Sequence, residues 1–405
     1  MQRPTPTRLC RGRWLATFLI VLMASPALGA CDYSAVDTTM QNLLATDGIS
    51  DGAVLIGSPQ GIWLKRYYGS YSDATVIPIA SATKLLSGIR ILQLADRQLV
   101  DLDAPVTDYL SGPDYPWNPT AAPITLRQMF SHTAGYGNDG DNPAVRSHTI
   151  TLAQSVQEIA SNYQGASPQN YAPAGSQFAY GGVSMQIGGG VAQAASGVDW
   201  QQGWQNAISA PMCISSINWQ AFGPSLNYQI AGGAQASLVD YARVLAMLAD
   251  GGVGNGTRIL SPAAISTLMH SQIGDAQIAY LPPGATGLTE YGIGDWIEPA
   301  PTSASPDAPV IHSIGAFGYA PWVDFSNHTF GIVMLFAPNQ AGQGSPLPSG
   351  YLSRLALENI VQAVRQQLAD NGGTCHASET FDAVFADGYD PAPPPPQCPG
   401  IIATP

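Results

Sequence analysis

The sequence predicts an α+β fold, one antiparallel sheet with a mostly helical region inserted in it, and three observations carry that expectation. Ala53-Val54-Leu55-Ile56-Gly57 and Ile62 to Tyr68 are rich in β-branched and aromatic residues and flank Ser58-Pro59-Gln60-Gly61, so two strands joined by a tight turn open the fold. A second pair, Ala320 to Phe325 and Thr329 to Phe336, flanks Ser326-Asn327-His328 near the other end. Between these pairs, apolar residues recur at helical spacing. Leu85, Leu86, Ile89, Leu92 and Leu94 mark a helix over 81–98, and further helical patterns fill 153–272. Leu352, Leu355, Leu357, Ile360, Val361, Val364 and Leu368 then mark a long closing helix over 351–368. The expected body spans 31–371, with sheet-forming segments at about 34–80 and 285–371 and the helical region at about 81–284.

The two ends have a different character. Arg3, Arg8, Arg11 and Arg13 precede the apolar run Trp14 to Met23 and the small residues Ala24 to Ala30. That order is a secretory signal over 1–30, which makes the mature protein exported, periplasmic or extracellular. The run is too short to span a membrane, and no other stretch reaches the roughly 20 apolar residues of a transmembrane helix. After Asn371 the composition turns to Gly, Asp, Ala and Pro, a Pro-rich tail over 372–405. Without the signal the cysteines are Cys31, Cys213, Cys375 and Cys398. An even number in an oxidising compartment favours two disulfides, in any of three pairings. The competing reading of Leu28-Gly29-Ala30-Cys31 is a lipoprotein-type site, which anchors Cys31 through lipid and leaves three cysteines.

A chain of 405 residues, 45% hydrophobic and 11% charged, can bury a large core. Its formal net charge of −13 repels nucleic-acid phosphates and anionic membrane surfaces, so neither is an expected partner.

The chemistry centres on Ser81-Ala82-Thr83-Lys84, a hydroxyl and an amine three residues apart at the start of a predicted helix, where both project from one face. A serine hydroxyl is a weak nucleophile until a neighbouring base takes its proton. A lysine can be that base near neutral pH only where burial or another cation favours its neutral form, and Ile77, Ile79, Leu85 and Leu86 supply apolar surroundings. The unpaired N–H groups at a helix start favour negative charge nearby. Ser-x-x-Lys also arises by chance as a capped, solvent-facing first turn. The chain, however, has only two lysines, Lys65 and Lys84. Gly48-Ile49-Ser50-Asp51-Gly52 leads into a strand rather than out of one, so it is a loop and not a nucleophile elbow. No His-Glu-x-x-His zinc helix and no phosphate-binding Gly-rich loop occurs.

Ser-x-x-Lys is followed by Gln93 to Val106, by Ile124-Thr125-Leu126-Arg127-Gln128-Met129-Phe130-Ser131-His132-Thr133-Ala134-Gly135-Tyr136, and by Pro173 to Tyr180. Gly315-Ala316-Phe317-Gly318 then precedes Trp322-Val323-Asp324. Together these resemble the class C β-lactamase superfamily, which includes D-Ala-D-Ala carboxypeptidases, family VIII carboxylesterases and D-aminopeptidases. The resemblance covers about 34–370. It implies a β-lactamase/transpeptidase-like fold, an antiparallel sheet flanked by terminal helices, with the active site where sheet and helical region meet.

The resemblance also implies roles. Ser81 is the nucleophile, Lys84 its base, and Tyr180 a hydrogen-bonded relay that protonates the leaving group. Gly182 stands where the family's Tyr-x-Asn motif has its Asn, which removes an amide that could hold a substrate carbonyl. The third motif falls on Ser313-Ile314-Gly315 with His312 before it, which makes His312, Ser313 and Gly315 substrate-binding residues and the N–H groups of Ser81 and Ala316 an oxyanion hole. Without a lysine there, the expected substrate is an uncharged ester or amide rather than a carboxylate-bearing β-lactam or peptide. His132 is expected to fix a turn rather than move protons. The implied reaction is acyl transfer from an ester, amide or peptide with neither metal nor organic cofactor. The alternatives are β-lactamase or D-Ala-D-Ala carboxypeptidase activity, or a non-catalytic module that binds peptidoglycan or a partner protein.

Overall fold

The computed structural model describes residues 31–117, 123–137, 142–162, 172–298, 309–338 and 348–381. Its centre is a six-stranded antiparallel sheet in the order Gly61–Tyr68, Gly52–Ser58, Thr329–Met334, Ala320–Asp324, Val310–His312, Trp296–Glu298. The two expected hairpins form its first four strands, with Val54 opposite Val333 where they join and Pro321 opposite Ile332 within the second. Alternate residues of Gly52–Ser58 point to opposite faces, and both faces are covered. Ala53 and Leu55 join the larger core, with Phe330 and Ile332 and the helix Leu238–Ala249. Val54 and Ile56 pack instead with Val36, Met40 and Leu43 of the helix Ser34–Asp47 and with Leu357, Ile360 and Val364 of the closing helix Ser349–Asp370. That double cover is why Gly52–Ser58 is apolar throughout rather than alternating.

The helical region begins at the 3₁₀ turn Ala80–Ala82 and the helix Thr83–Asp96, as the 81–98 periodicity predicts. The three-residue strands Trp296–Glu298 and Val310–His312 were not in the expected set, being too short for a period-2 pattern to register. They extend the sheet toward the site and form one of its walls.

Cys31 and Cys375 form a disulfide that ties the start of the first helix to the end of the last, across 344 residues of sequence. It uses the sulfur that a lipid anchor on Cys31 would need, so the structure takes the disulfide alternative. Cys213 is also disulfide-bonded. The body continues past the expected boundary at 371. Ser378 N–H donates to Ile62 O and Ile62 N–H to Glu379 O, both at 2.8 Å, so the chain after the closing helix caps the edge strand Gly61–Tyr68. Lys65 Nζ lies 2.7 Å from Glu379 Oε2 and anchors the same contact. The expected signal segment and the Pro-rich run of the tail lie outside the described residues. Among the described residues no helix is long and apolar enough to cross a membrane.

Linking two distant points of the chain chiefly restricts the unfolded state. Replacing Cys31 and Cys375 together by Ser should cost about 2–5 kcal/mol of stability, read as a lower urea midpoint under non-reducing conditions. An unchanged midpoint would show that the terminal helices hold together without the crosslink.

Candidate active site

Ser81 sits in a turn fixed from every side. Strand Val76–Pro78 pairs with Gln235–Ser237, and just beyond it Ile79 N–H donates to Ala234 O at 3.0 Å. Ala80 then takes φ +46°, a left-handed conformation that costs a non-glycine residue about 1 kcal/mol. Surrounding bonds hold it there. Tyr241 Oη donates to Ala82 O at 2.7 Å, and Ala234 N–H to Thr83 Oγ1 at 3.1 Å. Ser313 Oγ reaches the carbonyl of Ser81 itself at 3.0 Å and that of Gly294 at 3.2 Å. Gly315 completes the clamp, because a Cβ there would lie 2.1 Å from Ile79 O, and only glycine lets the two backbones approach so closely.

Lys84 follows one helical turn after Ser81 and is 4% exposed. Its Nζ donates to Ser81 Oγ at 3.1 Å and to Ala231 O at 2.9 Å. The same atom lies 4.5 Å from the centre of the Tyr180 ring, within cation–π range.

Tyr180 is delivered by Gln177–Ala179, which pairs in parallel with Gln277–Tyr280, and its own N–H donates to Tyr280 O at 3.2 Å. Its ring stacks on Trp296 at 5.7 Å with 14° between the planes and lies 4.7 Å from the His132 ring. Tyr180 thus meets Lys84 through its face; the hydroxyl hydrogen bond to Ser81 that the resemblance implies is not among those formed by the described residues. Gly182 is the N-cap of helix Val183–Ser196.

His132 has φ +58° and accepts, on its carbonyl, the N–H of Ala179 at 3.0 Å, so it shapes the turn beside the strand that presents Tyr180. Its ring is 1% exposed and packs against Phe178 and Tyr291. Burial, and then the nearby Lys84 charge, hold the imidazole well below its ordinary pKa and therefore neutral.

A cavity of about 330 Å³ opens over this group. Ser81, Tyr180, Gly315 and Ala316 line it beside the apolar Pro282, Leu288, Trp296, Ile314 and Phe317. The N–H groups of Ser81 and Ala316 donate no hydrogen bond among the described residues. His312 lines the cavity too, fully buried, with Nε2 2.9 Å from Glu298 Oε1. Ser313 is only 2% exposed, and its hydroxyl is committed to two carbonyls, so it supports the nucleophile's turn rather than facing the cavity.

The sequence reading missed Ala231, Trp296, Glu298 and Arg354. Arg354 lines the cavity from the closing helix and donates to Gly284 O at 3.0 Å. Its pairing with Glu358, Nε to Oε1 at 3.0 Å and four residues on, was the one local signal in the sequence.

The family model described as Beta-lactamase matches residues 36–345. Over 158 residues the chain is 30% identical to the monacolin J acid methylbutanoyltransferase of Aspergillus terreus, a stretch that is 35% of this chain and 37% of that protein. It is 28% identical over 147 residues to the D-alanyl-D-alanine-carboxypeptidase/endopeptidase AmpH of Escherichia coli strain K12, which is 36% of this chain and 37% of that one. The matched stretches therefore span little more than a third of either relative. The solved structure of EstCE1, a hydrolase with promiscuous acyltransferase activity, shares the fold with a TM-score of 0.61 at 15% identity, over 80% of this chain and 97% of that chain.

A histidine held neutral in the fold takes up its proton only on unfolding once the pH drops below about 6.5. The unfolded state then binds more protons, so this contribution to stability is full above that pH and is lost below it. Whatever it does to absolute stability, His132→Asn should flatten the loss between pH 7.5 and 5 by up to one proton, about 1.4 kcal/mol per pH unit, in urea melts across that range. Equal slopes in the two proteins would refute the neutral assignment.

Proposed function

Because the chain belongs to the beta-lactamase family, we propose that it is an exported serine hydrolase that cleaves uncharged esters or amides through an acyl-enzyme on Ser81. The observation that carries this is the 3.1 Å contact between Lys84 Nζ and Ser81 Oγ at a cavity large enough for a small acyl substrate.

Lys84 takes the Ser81 proton as Oγ bonds to the substrate carbonyl carbon. The carbonyl electron pair moves onto oxygen, where the N–H groups of Ser81 and Ala316 stabilise it. Collapse breaks the bond to the leaving group, which departs with the proton that Lys84 took from Ser81, and Tyr180 assists this transfer from its place over Lys84. Water then attacks the acyl-enzyme, gives its proton back along the same route, and frees Ser81. Ser313 and Gly315 act as positioning residues, since they hold the turn rather than the substrate. Export is supported by the basic and apolar N-terminal pattern and by the disulfides, which persist in oxidising compartments.

The uncharged substrate follows from the wall of the cavity. Arg354 could receive a carboxylate, which would favour β-lactamase or carboxypeptidase chemistry. Its guanidinium is however already shared by Glu298, Glu358 and the carbonyls of Gly284 and Thr286. A second reading, acyl transfer to an alcohol in place of water, draws on the Aspergillus relative and on the apolar cavity lining.

Wild-type protein should hydrolyse p-nitrophenyl butyrate, and Ser81→Ala and Lys84→Met should each lower kcat/KM by about 10³-fold or more. An alkyl fluorophosphonate should add to wild type at one site, located on Ser81 by peptide mass spectrometry. A wild type that neither turns over acyl esters nor accepts the phosphonate would overturn this function in favour of a non-catalytic binding module.

A further inference from the structure

We propose that Glu298 is the residue that closes this cavity to carboxylate-bearing substrates, by engaging the two side chains on the wall that could receive one. The proposal rests on the esterase reading above and deepens it by assigning its charge selectivity to one side chain. Glu298 ends the strand Trp296–Glu298 and stands in register with Val310 of the neighbouring strand, two residues before His312. From there a single carboxylate oxygen serves both wall groups: Oε1 is 2.9 Å from His312 Nε2 and 3.7 Å from Arg354 Nη2. His312 and Arg354 line the cavity with Ser81, whereas Glu298 lies behind them.

Counting charges gives the consequence. At the cavity lining stands one fixed cation, Arg354, against two carboxylates, Glu298 and Glu358; Arg365, on the far side of Glu298, is held by Asp324 at 2.8 Å. A substrate carboxylate would arrive as a third negative group around a cation already shared. Over a few ångströms in a partly desolvated site such a charge is weakly screened and decides between a neutral and an anionic ligand. Glu298 is in the stronger position of the two, because it contacts both wall groups and its side chain is 28% exposed against 38% for Glu358. Burial pushes its carboxyl upward, but the His312 hydrogen bond and the nearby charges of Arg354 and Arg365 outweigh that and keep it below its ordinary value. Losing this charge would not release Arg354 from the wall, since Gly284 O and Thr286 O still hold its Nη1 at 3.0 and 3.3 Å.

Glu298 acts through its neighbours, so it is a positioning residue and the readout must be selectivity rather than rate alone. We would compare kcat/KM for p-nitrophenyl butyrate and for mono-p-nitrophenyl succinate, esters of similar size that differ by a terminal carboxylate, in wild type, Glu298→Gln and Glu298→Asp. Wild type should favour the butyrate. Glu298→Gln should raise the succinate-to-butyrate ratio by about tenfold, mainly through a lower KM for the succinate, and added salt should shrink the shift. Glu298→Asp should keep the wild-type preference. Arg354→Gln, which removes the cation that the two carboxylates share, should move the ratio the other way, and it tests the proposal even where Glu298→Gln does not fold. A wild type that cleaves neither ester overturns the parent reading and this inference with it. A wild type that cleaves butyrate, with variants that lower both rates and leave the ratio unmoved, overturns this inference alone.

Discussion

The site depends on one contact, a lysine side chain buried with its Nζ within hydrogen-bonding distance of a serine hydroxyl. Neither half is stable by default. A buried amine loses its hydration, and the backbone that aims Ser81 passes through a left-handed alanine. The fold compensates both by filling every other direction with protein. Lys84 receives a carbonyl and an aromatic face, and the turn receives the side chains of Tyr241, Thr83 and Ser313. The helix that carries Lys84 is itself pinned, since a Cβ on Gly88 would lie 1.8 Å from Ile293 O, an approach that only glycine allows. The loop that makes that contact leads directly into Trp296 and Glu298.

That continuity joins the sheet to the chemistry. The aromatic group of Tyr180, His132, Tyr291 and Trp296 forms the inner side of the site, with rings packed at 4.7 to 6.1 Å. The two short strands at this end of the sheet supply the adjoining wall, where His312 and Glu298 sit on neighbouring strands and Arg354 reaches over from the closing helix. The wall is therefore as rigid as the ladder it grows from, and the groups proposed to select a substrate sit on regular elements rather than on loops alone.

How much of this was legible in the sequence follows the distance over which each signal acts. Ser81 and Lys84 are three residues apart on one helix face, so local geometry brings them together whatever the rest of the chain does. The hairpins were legible for the same reason. Ala231 contributes only a carbonyl, which any residue type could supply, so no sequence pattern marks it. Glu298 and Arg354 meet across 56 positions of sequence, and Cys31 and Cys375 across 344; the cysteine count could propose a disulfide but not choose its ends. Tyr180 was placed from its flanking residues, yet its approach to Lys84 through the ring depends on Trp296, which arrives from a strand too short to predict. The segment around Glu379 falls in the expected tail because the composition after Asn371 turns to Gly, Asp, Ala and Pro; its attachment comes from backbone pairing with Ile62, which composition does not encode.

The charge pattern of the wall sets the kind of selectivity the cavity can have. A site built around an unpaired cation discriminates sharply, because a ligand without the matching anion leaves a buried charge unsatisfied. Here the cation is satisfied within the protein, and what remains facing the cavity beside Ser81 is largely Pro282, Leu288, Trp296, Ile314 and Phe317. Apolar walls distinguish ligands by roughly 1–3 kcal/mol per methylene, and a ligand that is slightly too small is rejected weakly. Under the proposed function the acyl chain is therefore expected to be graded by length and shape rather than accepted or refused by a single group. Under the proposed ester hydrolysis such a cavity suits a range of neutral acyl donors, with its sharpest boundary expected at net charge, where the two carboxylates stand behind the wall.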